Sequence, residues 1–381
     1  MNTDERFMAR ALRLAGRGLG ETNPNPVVGC VVVREGRVVG EGHHARAGGP
    51  HAEVVALARA GARARGSTLY VTLEPCTHQG RTPPCVPLIL SAGVRRVVAA
   101  LPDPDPRVDG RGLSLLRRAG LRVRTGVLGV EALLLNERFV VSTRAVRPFV
   151  LLKAGITLDG RLATARGESR WITSPAQRRQ ARRLRRLHDA VLVGIGTVLA
   201  DDPLLLPVPG VRRPFLRVVL DSHLRLPPQS RLARSARRFP LLVLCREADA
   251  GRRRRLQARG VAVLCQPGAR SGVSLPWALA ALWRRGIRSL MVEGGSEVLG
   301  AFLAARLVDA VALFRAPLLL GGRHSRPAFG GPDPKGLGQA LRLSPQSPLL
   351  RGRRADPALP GPWPEPRLFE LWYPRPERAR D

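Results

Sequence analysis

The chain has 381 residues, 44% of them hydrophobic, which suits two cores better than one. Its formal net charge is +34, yet the arginines that supply nearly all of it are spread along the whole chain, and aromatic residues make up only 4%. The charge therefore reads as a solvated coat, and a base-stacking nucleic-acid platform is excluded as the first reading.

Residues 5–19 carry Phe7, Ala11, Leu14 and Ala15 on one side of an amphipathic helix. The β-branched run 27–34 turns at Gly36 into 38–40, which predicts a hairpin. Helical spacing runs over 53–62 through Val54, Leu57 and Ala58. A strand at 68–73, a helix at 88–92, a strand at 94–100, a helix at 113–119 and a strand at 121–125 follow. A hairpin and then alternating helix and strand predicts an α/β sheet with helices on its faces. The stretch 144–148 reads as the boundary between a first domain, 1–145, and a second, 148–375. The second opens with a strand from 149, a helix at 175–187 and a buried strand at 189–194. Short apolar strands at 218–221, 241–245, 261–265 and 289–293 follow, separated by helical patterns. Residues 344–366, rich in Pro, Arg and Gly, are expected to be loose, with 368–373 returning as a last strand. No apolar run reaches membrane-spanning length, and residues 1–10 lack the apolar segment of a signal peptide. The expectation is a cytoplasmic chain with no membrane and no specific nucleic acid among its partners.

Five cysteines, an odd number, argue against a disulfide framework and leave metal binding or burial. His51 and Glu53 open a helix in Pro50-His51-Ala52-Glu53, while Cys76 follows a strand and Cys85 comes nine residues later. Singly, His51 reads as a helix-capping or core histidine, the cysteines as buried thiols and Glu53 as a favourable first-turn charge. Together, one imidazole and two thiolates make three zinc ligands and leave a fourth position for water, as a catalytic site needs. Glu53 is placed to move protons between that water and a substrate amine. The set matches the zinc deaminases in chemistry, although the cysteines here are separated by eight residues rather than two. A nucleic-acid base deaminase and a non-catalytic zinc protein are the rival classes.

The long insert Thr77-His78-Gln79-Gly80-Arg81-Thr82 and the run Pro83-Pro84-Cys85 resemble the bifunctional riboflavin-biosynthesis deaminase–reductases. Thr22-Asn23-Pro24-Asn25-Pro26-Val27-Val28-Gly29, Gly40-Glu41-Gly42-His43-His44 and Asp103-Pro104-Asp105-Pro106 are similar to further motifs of that family. The resemblance spans nearly the whole chain. It implies a cytidine-deaminase-like three-layer domain followed by a dihydrofolate-reductase-like α/β domain. The implied activity is deamination of 2,5-diamino-6-ribosylamino-4(3H)-pyrimidinone 5′-phosphate. NADPH-dependent reduction of the ribosyl group then gives 5-amino-6-ribitylamino-uracil 5′-phosphate. Zn2+ and NADPH are the implied cofactors, a pyrimidine ribose phosphate the substrate, and a homodimer the assembly.

By the same resemblance, Asn25 and His44 contact the deaminase substrate. Ala154, Trp171, Thr197, Asp201, Ser222 and the run Gly295, Ser296, Glu297, Val298, Leu299, Gly300 and Ala301 line the NADPH site. Ser169, Arg185, Leu205 and Glu293 line the reductase substrate site. Lys153 joins them as one of only two lysines, Lys153 and Lys335, in an arginine-saturated chain, which suggests that a compact ammonium matters there. Independently of the resemblance, Gly294-Gly295-Ser296 leads into a helix whose free N–H groups can hold a pyrophosphate, or is simply a turn. One departure stands out. After Asp201-Asp202-Pro203 the family carries an arginine for the substrate phosphate, whereas this chain reads Leu204-Leu205-Leu206-Pro207-Val208. Either Arg212 or Arg213 takes that part, or reductase affinity is weakened.

Overall fold

The computed structural model describes residues 2–79, 82–106, 108–210, 213–268, 272–350, 355–356, 358–363 and 368–375. It divides into two units, 1–145 with 349–362, and 146–348 with 363–381.

In the first unit the predicted hairpin forms β1 (Gly29–Arg34) and β2 (Arg37–His43), flanked by α1 (Thr3–Gly16) and α2 (Ala52–Ala60). The strand starts later than its β-branched run suggests because the Asn136 side chain takes the Val27 amide at 2.8 Å and its carbonyl at 3.0 Å. The chain continues through β3 (Thr68–Val71), α3 (Cys85–Ser91), β4 (Arg96–Ala99), α4 (Arg111–Arg118) and β5 (Arg122–Thr125). Two further helices, α5 (Gly129–Leu135) and α6 (Glu137–Ala145), close this part of the chain. The sheet runs β2-β1-β3-β4-β5, antiparallel as far as β3 and parallel beyond it.

Alternation along the strands feeds two cores. Val31, Val33, Tyr70 and Val98 meet α1 and α5, while Cys30, Val32, Leu69, Val71 and Val97 meet α2, α3 and α4. Helix, sheet and helix make the three expected layers. The helices approach closely because two glycines admit them. A Cβ on Gly29 would lie 2.0 Å from the Ala11 carbonyl, and one on Gly40 would lie 2.2 Å from that of Ala56. The segment expected to be loose adds Leu359, which is buried, to the α1 core, and Arg138 donates to the Pro362 carbonyl at 3.0 Å.

Asp4 ties α1 to three strands. Arg96 grips its carboxylate at 2.8 and 2.7 Å, Arg124 donates at 2.7 Å and the Tyr70 hydroxyl at 2.9 Å. The Arg96 hydrogen bonds hold the Asp4 carboxyl down at about 2, against the opposing effect of burial. A group depressed in the folded state contributes stability above its unfolded pKa of about 3.9 and loses it as pH falls. Asp4→Asn is therefore expected to lower stability by about 2 kcal/mol at pH 7. It is also expected to flatten the loss between pH 4 and 2, as read from urea midpoints across that range. An unchanged acid limb would remove Asp4 from the account.

In the second unit β6 (Phe149–Ile156), β7 (Arg161–Ala163), α7 (Pro175–Arg186), β8 (Ala190–Gly194) and α8 (Ile195–Asp201) come first. Then follow β9 (Leu216–Leu220), α9 (Arg231–Arg234), β10 (Leu241–Cys245), α10 (Ala250–Gln257), β11 (Ala262–Cys265), α11 (Leu275–Arg284), β12 (Ser289–Val292) and α12 (Ser296–Ala304). The last strands are β13 (Ala310–Arg315), β14 (Arg326–Pro327), β15 (Leu343–Ser344) and β16 (Glu370–Pro374).

The main sheet runs β11-β10-β9-β8-β12-β6-β13-β16-β15, parallel through β13 and antiparallel at β16. Leu279, Leu282 and Phe302 from α11 and α12 pack on one face. Val198, Leu232 and Leu256 from α8, α9 and α10 pack on the other. Burial on both faces explains why these strands read as unbroken apolar runs. Among the described residues no helix is long and apolar enough to cross a membrane.

Candidate functional site

The first site gathers at the carboxyl end of β3, the middle strand of its sheet. His51 is the N-cap of α2, which puts Glu53 in the first turn of that helix, 3% exposed. Cys76 sits in the loop after β3, and Cys85 is the first residue of α3. Backbone bonds from Cys85 and Val86 to the Cys76 carbonyl, at 3.1 and 3.3 Å, bring the two cysteines together.

His51 Nδ1 lies 3.5 Å from the Cys76 sulfur and 3.3 Å from that of Cys85. With Zn–N near 2.0 Å and Zn–S near 2.3 Å, a tetrahedral ion needs about 3.5 Å between such atoms. All three ligand atoms lie within 4.8 Å of one another, and this is the metal-competent cluster found among the described residues. The donor set and its spacing fit zinc. The hydrogen bond between the two cysteines pulls the Cys76 thiol down, with His51 adding to the fall, and pushes that of Cys85 up. At Cys76 the fall favours the thiolate that a metal requires. Burial pushes the Glu53 carboxyl up, in the direction that suits a proton carrier near neutral pH.

A cavity of about 300 Å³ opens over these residues. Asn25 and His44 both line it, 3.2 Å apart through Nδ2 and Nε2. His44 Nδ1 lies 2.9 Å from the Pro50 carbonyl. That bond makes Nδ1 the protonated nitrogen and leaves Nε2 to accept from Asn25. Burial lowers the His44 pKa, which keeps the ring neutral.

Two supports lay outside the sequence reading. Glu74 is buried, and its carboxylate accepts backbone N–H groups from Asp103, Gly110, Gly112 and Leu113 at 2.8–3.2 Å. It pins the loop that forms the far wall of the cavity; a glutamate directly before Pro75-Cys76 was the only local signal. The second support is Thr82, whose hydroxyl lies 3.1 Å from His51 Nε2. It fixes the ring by the nitrogen that faces away from the sulfurs. Thr82→Val is expected to weaken zinc affinity about tenfold, read by chelator competition. Unaltered affinity would leave Thr82 as filler.

In the second unit three predicted residues come together. Glu293, at the end of β12, takes a two-pronged grip from Arg185 of α7, one bond being 2.9 Å. It also lies 3.6 Å from the Lys153 ammonium on β6. All three side chains are largely buried, between 7% and 18% exposed. Burial raises the Glu293 carboxyl, but the Arg185 and Lys153 charges outweigh it and bring the group down to about 2. Burial also pushes the Lys153 ammonium down, in spite of Glu293.

Some of the predicted cofactor residues lie along the carboxyl edge of the parallel strands, the usual place for a ligand in such a sheet. Thr197 opens α8 beyond β8, and Gly295 caps α12 beyond the neighbouring β12. A Cβ on Gly295 would lie 3.6 Å from Thr197 Oγ1. The α12 N-terminus has no side-chain cap, and the buried Ser296 hydroxyl has no hydrogen-bond partner among the described residues. Free N–H groups and an orphaned hydroxyl at a helix start fit the phosphates of a dinucleotide. Ser222 follows β9, and Asp201 accepts from Arg170 at 3.2 Å. Trp171 is 68% exposed under the Arg178 guanidinium, 4.1 Å from its ring centre. Ser169 is half-buried in the loop before α7, and Glu297, Val298 and Ala301 are at least partly exposed on α12.

Other predicted residues sit differently. The side chains of Ala154, Leu205 and Leu299 are buried in the cores, and Gly300 packs on the Gly330 backbone. Arg212 lies outside the described residues. Arg213 is already engaged, with the Arg186 and His188 carbonyls at the end of α7 and with Asp189. The Leu204–Pro207 run is itself held by arginines. Arg185 donates to the Leu206 carbonyl at 2.9 Å and Arg182 to that of Pro207 at 3.3 Å.

Comparisons with known proteins bear on both units. Residues 1–101 match the cytidine and deoxycytidylate deaminase zinc-binding region, and residues 148–348 match the RibD C-terminal domain. The chain is 45% identical over 320 residues to the riboflavin biosynthesis protein RibD of Aquifex aeolicus, covering 84% of this chain and 88% of that one. It is 44% identical over 332 residues to that of Escherichia coli, covering 84% and 89%. Among solved structures, Acinetobacter baumannii RibD superposes with a TM-score of 0.82 at 34% identity, covering 98% and 99%. A Thermotoga maritima protein superposes with a TM-score of 0.79 at 34% identity and the same coverage. It is named as a diaminohydroxyphosphoribosylaminopyrimidine deaminase/5-amino-6-(5-phosphoribosylamino)uracil reductase. The chain belongs to the RibD family, and it is a bifunctional enzyme of riboflavin biosynthesis in which a zinc-dependent deaminase precedes an NADPH-dependent reductase.

Proposed function

We propose that the first unit removes the 2-amino group of 2,5-diamino-6-ribosylamino-4(3H)-pyrimidinone 5′-phosphate by hydrolysis. The second unit then reduces the ribosyl group of the product to ribityl. The observation that carries this reading is the convergence of His51, Cys76 and Cys85 on one point, beside a cavity that His51, Cys76 and the buried Glu53 carboxyl line. The name of the Thermotoga maritima relative supports the substrate.

Zinc, held by His51, Cys76 and Cys85, supplies the Lewis acidity that makes water a nucleophile near neutral pH. Glu53 takes a proton from the attacking water and delivers it to the pyrimidine ring nitrogen. It then serves the amine, which leaves as ammonia. Asn25 and His44 hold the pyrimidine edge, His44 by a neutral ring whose tautomer Pro50 sets. In the second unit NADPH supplies the hydride. The N-terminus of α12, with Thr197 and Ser222, holds the cofactor, and Trp171 and Asp201 flank it. Lys153 and Arg185 face the phosphorylated sugar, with Ser169 beside them, and Glu293 keeps both cations in place. Resemblance to the family supports a homodimer as the working assembly, and NADPH dependence supports the cytoplasm as its compartment.

The test supplies purified, zinc-loaded protein with the diamino substrate and adds NADPH later. Ammonia is expected first, followed by one NADPH consumed per ammonia released. Absence of ammonia would overturn the deaminase assignment. Ammonia without NADPH consumption would overturn the reductase assignment alone.

A further inference from the structure

Three of the five cysteines, Cys30, Cys245 and Cys265, have no part in the zinc site, and the last two are neighbours. Cys245 ends β10 and Cys265 ends β11, and the two strands run parallel with these residues directly opposite each other. Directly opposed residues project from the same face of a sheet, and adjacent strands lie about 4.8 Å apart. A disulfide spans Cα separations of about 4.4–6.8 Å, so the strand spacing itself falls within its reach. Cys245 is fully buried and its sulfur leans across to β11, 3.5 Å from the Leu264 carbonyl. Cys265 is half-buried on the edge strand of the sheet, directly opposite Cys245. The Gln266 amide donates to the Cys245 carbonyl at 2.8 Å, which holds the two strand ends in register at this point.

We propose that Cys245 and Cys265 form a reversible disulfide site that clamps the edge strand β11 to β10. The oxidant is a low-molecular-weight disulfide. Cys265, the more accessible thiol, attacks one of its sulfurs as the thiolate, and one small thiol leaves. Cys245 then attacks the Cys265 sulfur, and the second small thiol leaves. Two protein thiols are oxidised, one small disulfide is reduced to two thiols, and the two protons pass to the departing sulfurs. The bridge closes the loop that carries α10 and holds a four-residue edge strand that is otherwise free to fray.

The test uses the full zinc-loaded chain, incubated with oxidised glutathione, trapped with iodoacetamide and mapped by mass spectrometry without reduction. A peptide linking Cys245 to Cys265 is expected, lost on treatment with dithiothreitol and absent from Cys265→Ser, in which Cys245 stays a thiol. Amide exchange over 262–265 is expected to slow about tenfold in the oxidised chain. Glutathione retained on Cys265 beside a free Cys245 would overturn the proposal, because the pair would then have failed to close. Full alkylation of both cysteines would overturn it as well.

Discussion

Glu53→Gln is expected to bind zinc as the native chain does and to release ammonia at least about a thousandfold more slowly. Glutamine fills the same space in the first turn of α2 and leaves His51 as the N-cap. The ligand set is untouched. What the amide lacks is the ability to take up a proton and give it back. Two neighbouring imidazoles are already engaged, His51 by the two sulfurs and Thr82, and His44 by Asn25 and Pro50. Metal content measured beside ammonia release separates the two roles. Loss of zinc with loss of rate would make Glu53 structural, and an undiminished rate would remove it from the chemistry. Since Glu53 lies in the first unit, the variant is expected to go on consuming NADPH when supplied with the deaminated intermediate.

Glu293→Gln is the second large effect, and it lies in the other unit. The substitution leaves the Arg185 guanidinium and the Lys153 ammonium buried without their shared counter-charge. Breaking a buried ion pair on one side costs about 3–5 kcal/mol, more than the intact pair contributes, because the remaining charge has lost its solvent and its partner. A loss of about 3 kcal/mol is expected at pH 7, read from urea unfolding of the second unit. The native contribution should follow the Glu293 titration. Its folded pKa of about 2 lies below the unfolded value near 4.3, so the stabilisation is present above pH 4 and fades as pH falls towards 2. NADPH consumption is expected to fall with the lost stability, while ammonia release is unaffected. An equal loss of both activities would mean that Glu293 supports the whole chain rather than the reductase site.

The zinc ligands were legible because each depends on a short stretch of chain. His51 and Glu53 lie within one helical turn, so local backbone geometry alone puts them on the same opening. Cys76 and Cys85 are each positioned by a proline-containing turn. The strands of the second unit were legible as apolar runs for the related reason that both of their faces are buried. Strand β13 was not picked out. Its Ala310-Val311-Ala312-Leu313 run has the length of a strand but the composition of a helix, and only pairing with β6 decides between them.

Residue types and local spacing thus determined the class of chemistry in the first half and its metal, while the reductase half was legible only through resemblance to a known family. Which side chains remain free to meet a ligand was decided in three dimensions. Glu74 became the anchor of a cavity wall through amides 29–39 residues away. Leu359 joined the core of the first unit from the far end of the chain. Arg213, one of two arginines expected to replace a missing phosphate contact, instead holds the end of α7. Such assignments turn on competition between distant partners for the same hydrogen-bonding group, and that competition is resolved only when the chain closes on itself.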